Sequence, residues 1–279
     1  MNHLIDLHRH LEGSIRLQTI LELGQQHNIR IPAATPEQLH AQLLVIDRPV
    51  SWMTHVDWGV EVLADLAACR RVAREAVEDA HAEGLEYLEL RFSPYYMARP
   101  HRLPLTGVLQ AVVDGVRVGS AVTGLHVGLI GILSRTYGLR ACSEELATIL
   151  QHKGDLVAVD LAGDECRWPA EMFTNQFKLV RDAGLGITIH AGERDGAQSV
   201  WHAIEDLHAT RIGHGLRATD DPRLLDHLAA RGIGLEVCLT SNVQAKLVDG
   251  YASHPLKMFL EHGILATLNT DNQIGRAHV

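Results

Sequence analysis

Cysteine is scarce: Cys69, Cys142, Cys166 and Cys238 are the only four in 279 residues, and they stand far apart with no C-x-x-C pair. That excludes a thiolate zinc site and a disulfide framework and leaves reduced thiols. Runs of basic residues are also lacking, none exceeding the pair Arg70-Arg71, and the net charge is −9. Without the basic stripe that nucleic-acid backbones or anionic membranes demand, neither kind of partner is expected. The opening Met1-Asn2-His3-Leu4-Ile5-Asp6 turns acidic where a signal peptide carries a basic flank and a long apolar stretch, and no later run approaches membrane length. A soluble, cytoplasmic chain is the expectation. Internal repeats, low-complexity tracts and Pro/Gly/Ser-rich linkers are absent too, and the length permits a single large domain.

Histidine is abundant, with 18 residues, which justifies looking for a site without locating one. Short apolar or β-branched runs recur at Leu4–Leu7, Leu85–Leu90, Leu125–Ile132, Leu156–Leu161, Gly186–Ile189, Thr210–Ile212, Gly234–Val237 and Ile264–Leu268. Helical patterning separates most of them, clearest at Leu63–Glu83, Ser143–His152, Trp168–Ala183, Val200–Leu207 and Asp221–Ala230. Gly84, Gly184 and Gly232 follow helical segments where a left-handed cap is wanted. Residues 14–84 are too many for one helix and are expected to hold several. Repeated βα units with near-continuous apolar strands imply a parallel sheet, and eight of them fit an α/β fold of the (β/α)8 TIM-barrel type.

In such a barrel the functional groups sit at the C-terminal ends of the strands. Here those ends read His8-Arg9-His10, His190-Ala191-Gly192-Glu193, Gly213-His214-Gly215 and Asn269-Thr270-Asp271. His8 and His10 are two apart, so on a strand they project from one face and can reach one metal ion while Arg9 points away. The alternative for an H-x-H pair is a polar strand end. Histidine and carboxylate ligands from separate strands suit a catalytic zinc, to which His190 would add a nitrogen and Asp271 an oxygen. Four such ligands leave room for a water that the metal acidifies. Glu193, three residues past His190, is placed to act as general acid or base, its alternative being a solvated or helix-capping charge. His214, between two glycines, is either a site residue or a turn histidine.

Seven segments resemble the successive motifs of the adenosine deaminase family, in the family's order and across nearly the whole chain. They are 7–14 (Leu-His-Arg-His-Leu-Glu-Gly-Ser), 89–94 (Glu-Leu-Arg-Phe-Ser-Pro), 160–165 (Asp-Leu-Ala-Gly-Asp-Glu), 190–193, 211–215, 238–242 (Cys-Leu-Thr-Ser-Asn) and 269–271. The resemblance implies one zinc per subunit held by His8, His10, His190 and Asp271, and hydrolytic deamination of adenosine and 2′-deoxyadenosine in purine salvage. It implies that Glu193 shares a proton with the purine N1 and that His214 orients or deprotonates the attacking water. It also implies substrate contacts from His10, from Glu12 at the ribose 5′-hydroxyl, from the Gly163 backbone N–H at N3 and from position 272 at N7.

Two positions depart from the family pattern. Glu12 stands where Asp is more usual, as it also does in related adenine deaminases, whereas Arg91-Phe92-Ser93-Pro94 favours the nucleoside enzymes. Asn272 stands in place of a second Asp, and its amide retains a hydrogen-bond donor for N7. The stretch 273–279 (Gln-Ile-Gly-Arg-Ala-His-Val) resembles an in-frame translation of a sequencing adapter, so a barrel over 1–272 with a non-native tail is expected. The family's C-terminal covering helices would then be missing, and poor solubility or association would follow. Deamination of free or modified adenine is the runner-up activity, and an inactive truncated fragment is the alternative from another class.

Overall fold

The computed structural model describes residues 4–43 and 53–272. The tail expected at 273–279 lies outside the described residues. Eight strands succeed one another, β1 (Ile5–His10), β2 (Tyr87–Phe92), β3 (His126–Ser134), β4 (Ala158–Ala162), β5 (Gly186–Ala191), β6 (Arg211–His214), β7 (Gly234–Val237) and β8 (Ala266–Leu268). They form one sheet in the order β1 to β8 with helices interleaved, the (β/α)8 barrel class that the alternation predicts. Each strand overlaps an apolar run read from the sequence. β1, β5 and β6 continue past those runs to take in His10, His190 and His214.

Twelve α-helices accompany the strands among the described residues. The first crossover holds four, as its length predicts: α1 (Leu17–Gln26), α2 (Pro36–Leu43), α3 (Met53–Glu61) and α4 (Leu66–Ala82). Next come α5 (Pro94–Ala98), α6 (Leu105–Thr123), α7 (Gly138–Gln151), α8 (Thr174–Asp182), α9 (Ala197–Glu205), α10 (Pro222–Arg231), α11 (Leu239–Gln244) and α12 (Leu256–Glu261). Gly84, Gly184 and Gly232 adopt φ of 85°, 78° and 63°, the left-handed caps expected of them. The pattern read at Trp168–Ala183 is divided, a 3-10 turn at Ala170–Phe173 preceding α8.

The chain divides into two compact units. Among the described residues, the first comprises 4–5, 9–43, 53–127 and 271–272. Its helices α4 and α6 pack on each other, burying Val72, Ala73, Ala76, Val77 and Ala80 from one and Val108, Val112 and Val116 from the other. This corrects one expectation. Asp114 and Arg117 hide any membrane-length run in the sequence, yet α6, with 19 residues, is long and apolar enough to cross a membrane by length and composition.

Residues 6–8 and 128–270 make the second unit. Parallel pairing from β3 through β8 sets Leu161, Ile189, Ile212 and Leu235 in adjacent register positions, and all four are buried. Alternation along a strand sends their neighbours to the opposite face. Those neighbours are Asp160, Thr188, His190 and Glu236, which are buried as well. One face of this sheet is therefore hydrocarbon packed under helices, and the other is polar and titratable.

Candidate metal and catalytic centre

In the second unit three histidines converge. The His8 ring lies 4.6 Å from that of His190 and 5.0 Å from that of His214, with His190 and His214 5.2 Å apart, centroid to centroid. One ring nitrogen from each falls within 4.8 Å of the others, a spacing that could hold a metal ion. All three are buried. Gly213 makes room for them, because a Cβ there would stand 2.9 Å from His8 Cε1, so any side chain on β6 at this position would displace the His8 ring.

Register brings His190 opposite Gly213, and Gly213 opposite Glu236. Glu236 thereby meets His8, accepting a hydrogen bond from its Nδ1 at 2.8 Å. Thr188 Oγ1 at 2.9 Å and Arg211 Nε at 2.9 Å hold the other oxygen of that carboxylate. His190 is treated in the same way, its Nδ1 facing Asp160 Oδ2 at 2.9 Å. A neutral imidazole that donates from Nδ1 keeps a lone pair on Nε2, the atom a metal takes. The His8 and His190 rings are thus each held through Nδ1 by a carboxylate that is 1% and 0% exposed respectively.

His214 arrives by a different route. Strand alternation from Gly213 would send it to the hydrocarbon face with Ile212. Instead its backbone turns left-handed, with φ of 64°, and the ring joins the other two. A left-handed non-glycine residue costs about 1–3 kcal/mol and is characteristic of functional sites. Its Nδ1 lies 3.1 Å from Asn242 Nδ2, and Asn242 Oδ1 lies 3.1 Å from His254 Nε2. Burial, and then the nearby His214, push the His254 imidazole down to about 4.

Glu193 is half-buried in the turn after β5. Glu165 organises that turn. Its carboxylate accepts the backbone N–H groups of Gly192 at 2.9 Å, of Asp195 at 2.8 Å and of Arg194, together with Ser199 Oγ at 2.8 Å. From below, the fully buried Arg135 donates Nη2 to the carbonyls of Leu161 at 2.7 Å and His190 at 2.5 Å. Burial lowers the Arg135 pKa, against the opposing pull of Glu165 and Asp160. Gly163, directly after β4, is left-handed at φ 116°.

The first unit carries the remaining candidates. His10 Nε2 stands 3.4 Å from Asp271 Oδ1, and the His10 backbone N–H donates to the Asp271 carbonyl at 2.8 Å. Asp271 is buried and left-handed at φ 61°, and its Oδ1 accepts from Asn272 Nδ2 at 2.9 Å. Asn272 lies against Gly13, where any Cβ would overlap its side-chain amide. Glu12 is buried and accepts the Ser93 backbone N–H at 2.7 Å. Arg9, itself buried, pairs with Glu83 at 2.6 Å.

Sequence reading missed Asp160, Glu165, Arg135, Glu236, Asn242 and His254. Glu236 offered a signal, since it is the one charge inside the apolar run Gly234–Val237. Asp160, Glu165 and Asn242 lie within the recognised motifs, but nothing local says which backbone or ring each will meet.

The family model described as adenosine deaminase matches residues 4–276. An adenosine deaminase of Vibrio cholerae serotype O1 is 57% identical over 272 residues, covering 96% of this chain and 81% of the relative. Among solved structures, an adenine deaminase from Arthrobacter aurescens superposes with a TM-score of 0.91 at 25% identity, covering 99% of this chain and 84% of that one. An amidohydrolase from B. ambifaria with bound Zn gives a TM-score of 0.87 at 26% identity, covering 96% of this chain and 75% of that one.

Proposed function

The chain is an enzyme of the adenosine deaminase family, and from that membership we propose that it hydrolyses adenosine and 2′-deoxyadenosine to inosine and deoxyinosine with release of ammonia. The setting proposed is cytoplasmic purine salvage, with one zinc ion per subunit and no nucleic-acid or membrane partner. His8, His10, His190 and Asp271 are the proposed ligands. The observation that carries the reading is the anchoring of His8 and His190 through Nδ1 to Glu236 and Asp160, the arrangement that fixes ring orientation at histidine metal sites. The strand alternation that aligns His10 with His8, and the pairing of His10 with Asp271, support the other two. The donor set of nitrogens and a carboxylate suits zinc, and the relative from B. ambifaria has Zn bound.

Bound there, zinc supplies the Lewis acidity that makes water a nucleophile at neutral pH. The chain's own groups do the rest. Glu193 gives a proton to the purine N1, which draws electrons from C6 and opens it to attack. His214 positions the water oxygen that bonds to C6. The proton that water gives up on bonding to C6 passes to the now ionised Glu193, which hands it to the departing nitrogen. The C6–N bond breaks and ammonia leaves, N1 keeps the proton it received, and the remaining hydroxyl proton restores Glu193 as C6=O forms. Glu12, Gly163 and Asn272 hold the 5′-hydroxyl, N3 and N7, with His10 beside the base.

Deamination of the free base is the second reading, favoured by the likeness to the Arthrobacter aurescens adenine deaminase and by Glu12. Adenosine is preferred because the Vibrio cholerae relative, at 57% identity, is an adenosine deaminase and because of the 91–94 motif. The test is to incubate zinc-loaded protein with adenosine, 2′-deoxyadenosine and adenine, following ammonia release and the fall in adenine absorbance. Turnover of adenine alone would establish the second reading, and turnover of none would show the chain inactive. Glu193→Gln should cost roughly 10²–10⁴-fold in kcat while zinc stays bound, and His8→Ala should lose the metal.

A further inference from the structure

His254 is buried, 7% exposed, directly after the 3-10 turn Tyr251–Ser253, and the chemistry proposed above makes no use of it. Its surroundings determine where its proton sits. The Leu256 backbone N–H lies 3.1 Å from His254 Nδ1. A backbone N–H can only donate, so Nδ1 must accept and the ring proton belongs to Nε2. That Nε2 stands 3.1 Å from Asn242 Oδ1 and donates to it. The amide is thereby turned so that its NH2 faces His214 Nδ1 at 3.1 Å. An amide NH2 also can only donate, so His214 Nδ1 accepts.

We propose that His254 is a positioning residue which, through Asn242, holds His214 in the tautomer that carries its proton on Nε2. The direction of this chain does not depend on reading the amide's two ends from their shapes, because it starts at a backbone N–H whose role is fixed. His8 and His190 have the opposite polarity. Their Nδ1 atoms face carboxylates, which can only accept, so in the neutral rings Nε2 carries no proton. Three histidines that look alike in the sequence are therefore divided by their partners into two metal-facing lone pairs and one N–H. The inference rests on the role proposed for His214 and sharpens it: His214 orients the nucleophile by donating to it, and is not the group that takes its first proton.

The experiment uses the full chain, zinc-loaded and labelled with ¹⁵N-histidine, with long-range ¹H–¹⁵N spectra that distinguish the two neutral tautomers. Wild type should show His214 with its proton on Nε2. In Asn242→Asp a carboxylate replaces the amide and accepts from both rings, so the His214 proton should move to Nδ1. His254→Phe frees the amide to turn, which should mix the tautomers and lower kcat about 10- to 100-fold with KM changed only a few-fold. His254→Gln, whose amide can accept from Leu256 and donate to Asn242, should restore both the spectrum and the rate. If His254→Phe does not fold, the contrast between His254→Gln and Asn242→Asp decides. A wild-type His214 protonated on Nδ1, or an unchanged His214 tautomer in both Asn242→Asp and His254→Phe, would overturn the proposal. The spectrum is independent of turnover: the expected tautomer in a protein that releases no ammonia would refute deamination and leave the relay intact.

Discussion

Replacing Glu165 by Gln should disable the turn that carries Glu193 without touching any proposed metal ligand. The wild-type carboxylate receives four donors, namely the N–H groups of Gly192, Arg194 and Asp195 and the Ser199 hydroxyl. Oε1 serves Arg194 and Asp195, while Oε2 serves Gly192 and Ser199. A glutamine keeps one oxygen and turns an NH2 group toward the other pair of donors. Ser199 can reverse its hydroxyl and accept from that group, but the Gly192 N–H cannot. Hydrogen bonds to a charged acceptor are worth about 1.5–3 kcal/mol, and two of them lose their charge while a third loses its acceptor. A net loss of about 3 kcal/mol is expected, which for a chain of this size lowers Tm by roughly 6–12 °C. Displacing Glu193 by about an ångström would cost on the order of 10² in kcat. Calorimetry, metal content and adenosine turnover on the purified variant measure all three effects. Wild-type kcat together with an unshifted Tm would refute the view that Glu165 organises this turn, and loss of zinc would show that its influence is not confined to it.

Three further outcomes follow from the same contacts. Glu236→Gln and Asp160→Asn should each weaken zinc affinity about 10- to 100-fold by releasing the His8 or His190 ring, checked by competition with a chelator; unchanged affinity in both would remove the basis for calling those rings oriented ligands. Burial holds the Cys69 thiol up to about 12 and raises Cys142 as well, whereas Cys166 is exposed, so iodoacetamide at pH 8 should label native protein at Cys166 first, read by peptide mass. His254 is pushed down to about 4 by burial and by His214, so the unfolded chain binds its proton first as pH falls. The stability this neutral imidazole confers is complete above about 6.5 and is lost between there and about 4. Urea unfolding at pH 7 and pH 5 should therefore show wild type losing more stability than His254→Gln over that interval.

Much of the fold was legible because each strand is a short apolar run closed by a turn. The caps at Gly84, Gly184 and Gly232 were legible for the same local reason, since only the chain's next turn decides them. Boundaries were read less well where polar residues continue a strand. His190 and His214 extend β5 and β6 because they go on pairing with neighbouring strands, and pairing is not visible in one segment alone. Helix α6 shows the opposite case: its glycines and valines give no clear polar face, so its periodicity is weak and its packing against α4 is what places it.

At the site the residue types were legible, but the partners that decide their protons were not. With a polar strand end as the alternative, H-x-H on an apolar strand makes His8 a candidate ligand. Its Nδ1 partner, Glu236, is 228 residues away, and only the register of β6 on β7 brings that carboxylate beneath the ring. His214 was harder still. Counting alternate residues from Gly213 assigns it to the hydrocarbon face, and only the left-handed turn of its backbone reverses that. The same turn explains why a strained conformation is kept at a cost of about 1–3 kcal/mol: a relaxed strand would bury the imidazole among aliphatic side chains with no partner for either nitrogen. The glycines on both sides of His214 were therefore the informative residues. Gly213 vacates the space that the His8 ring fills, and Gly215, itself left-handed at φ 63°, lets the chain leave the strand once His214 has turned inward.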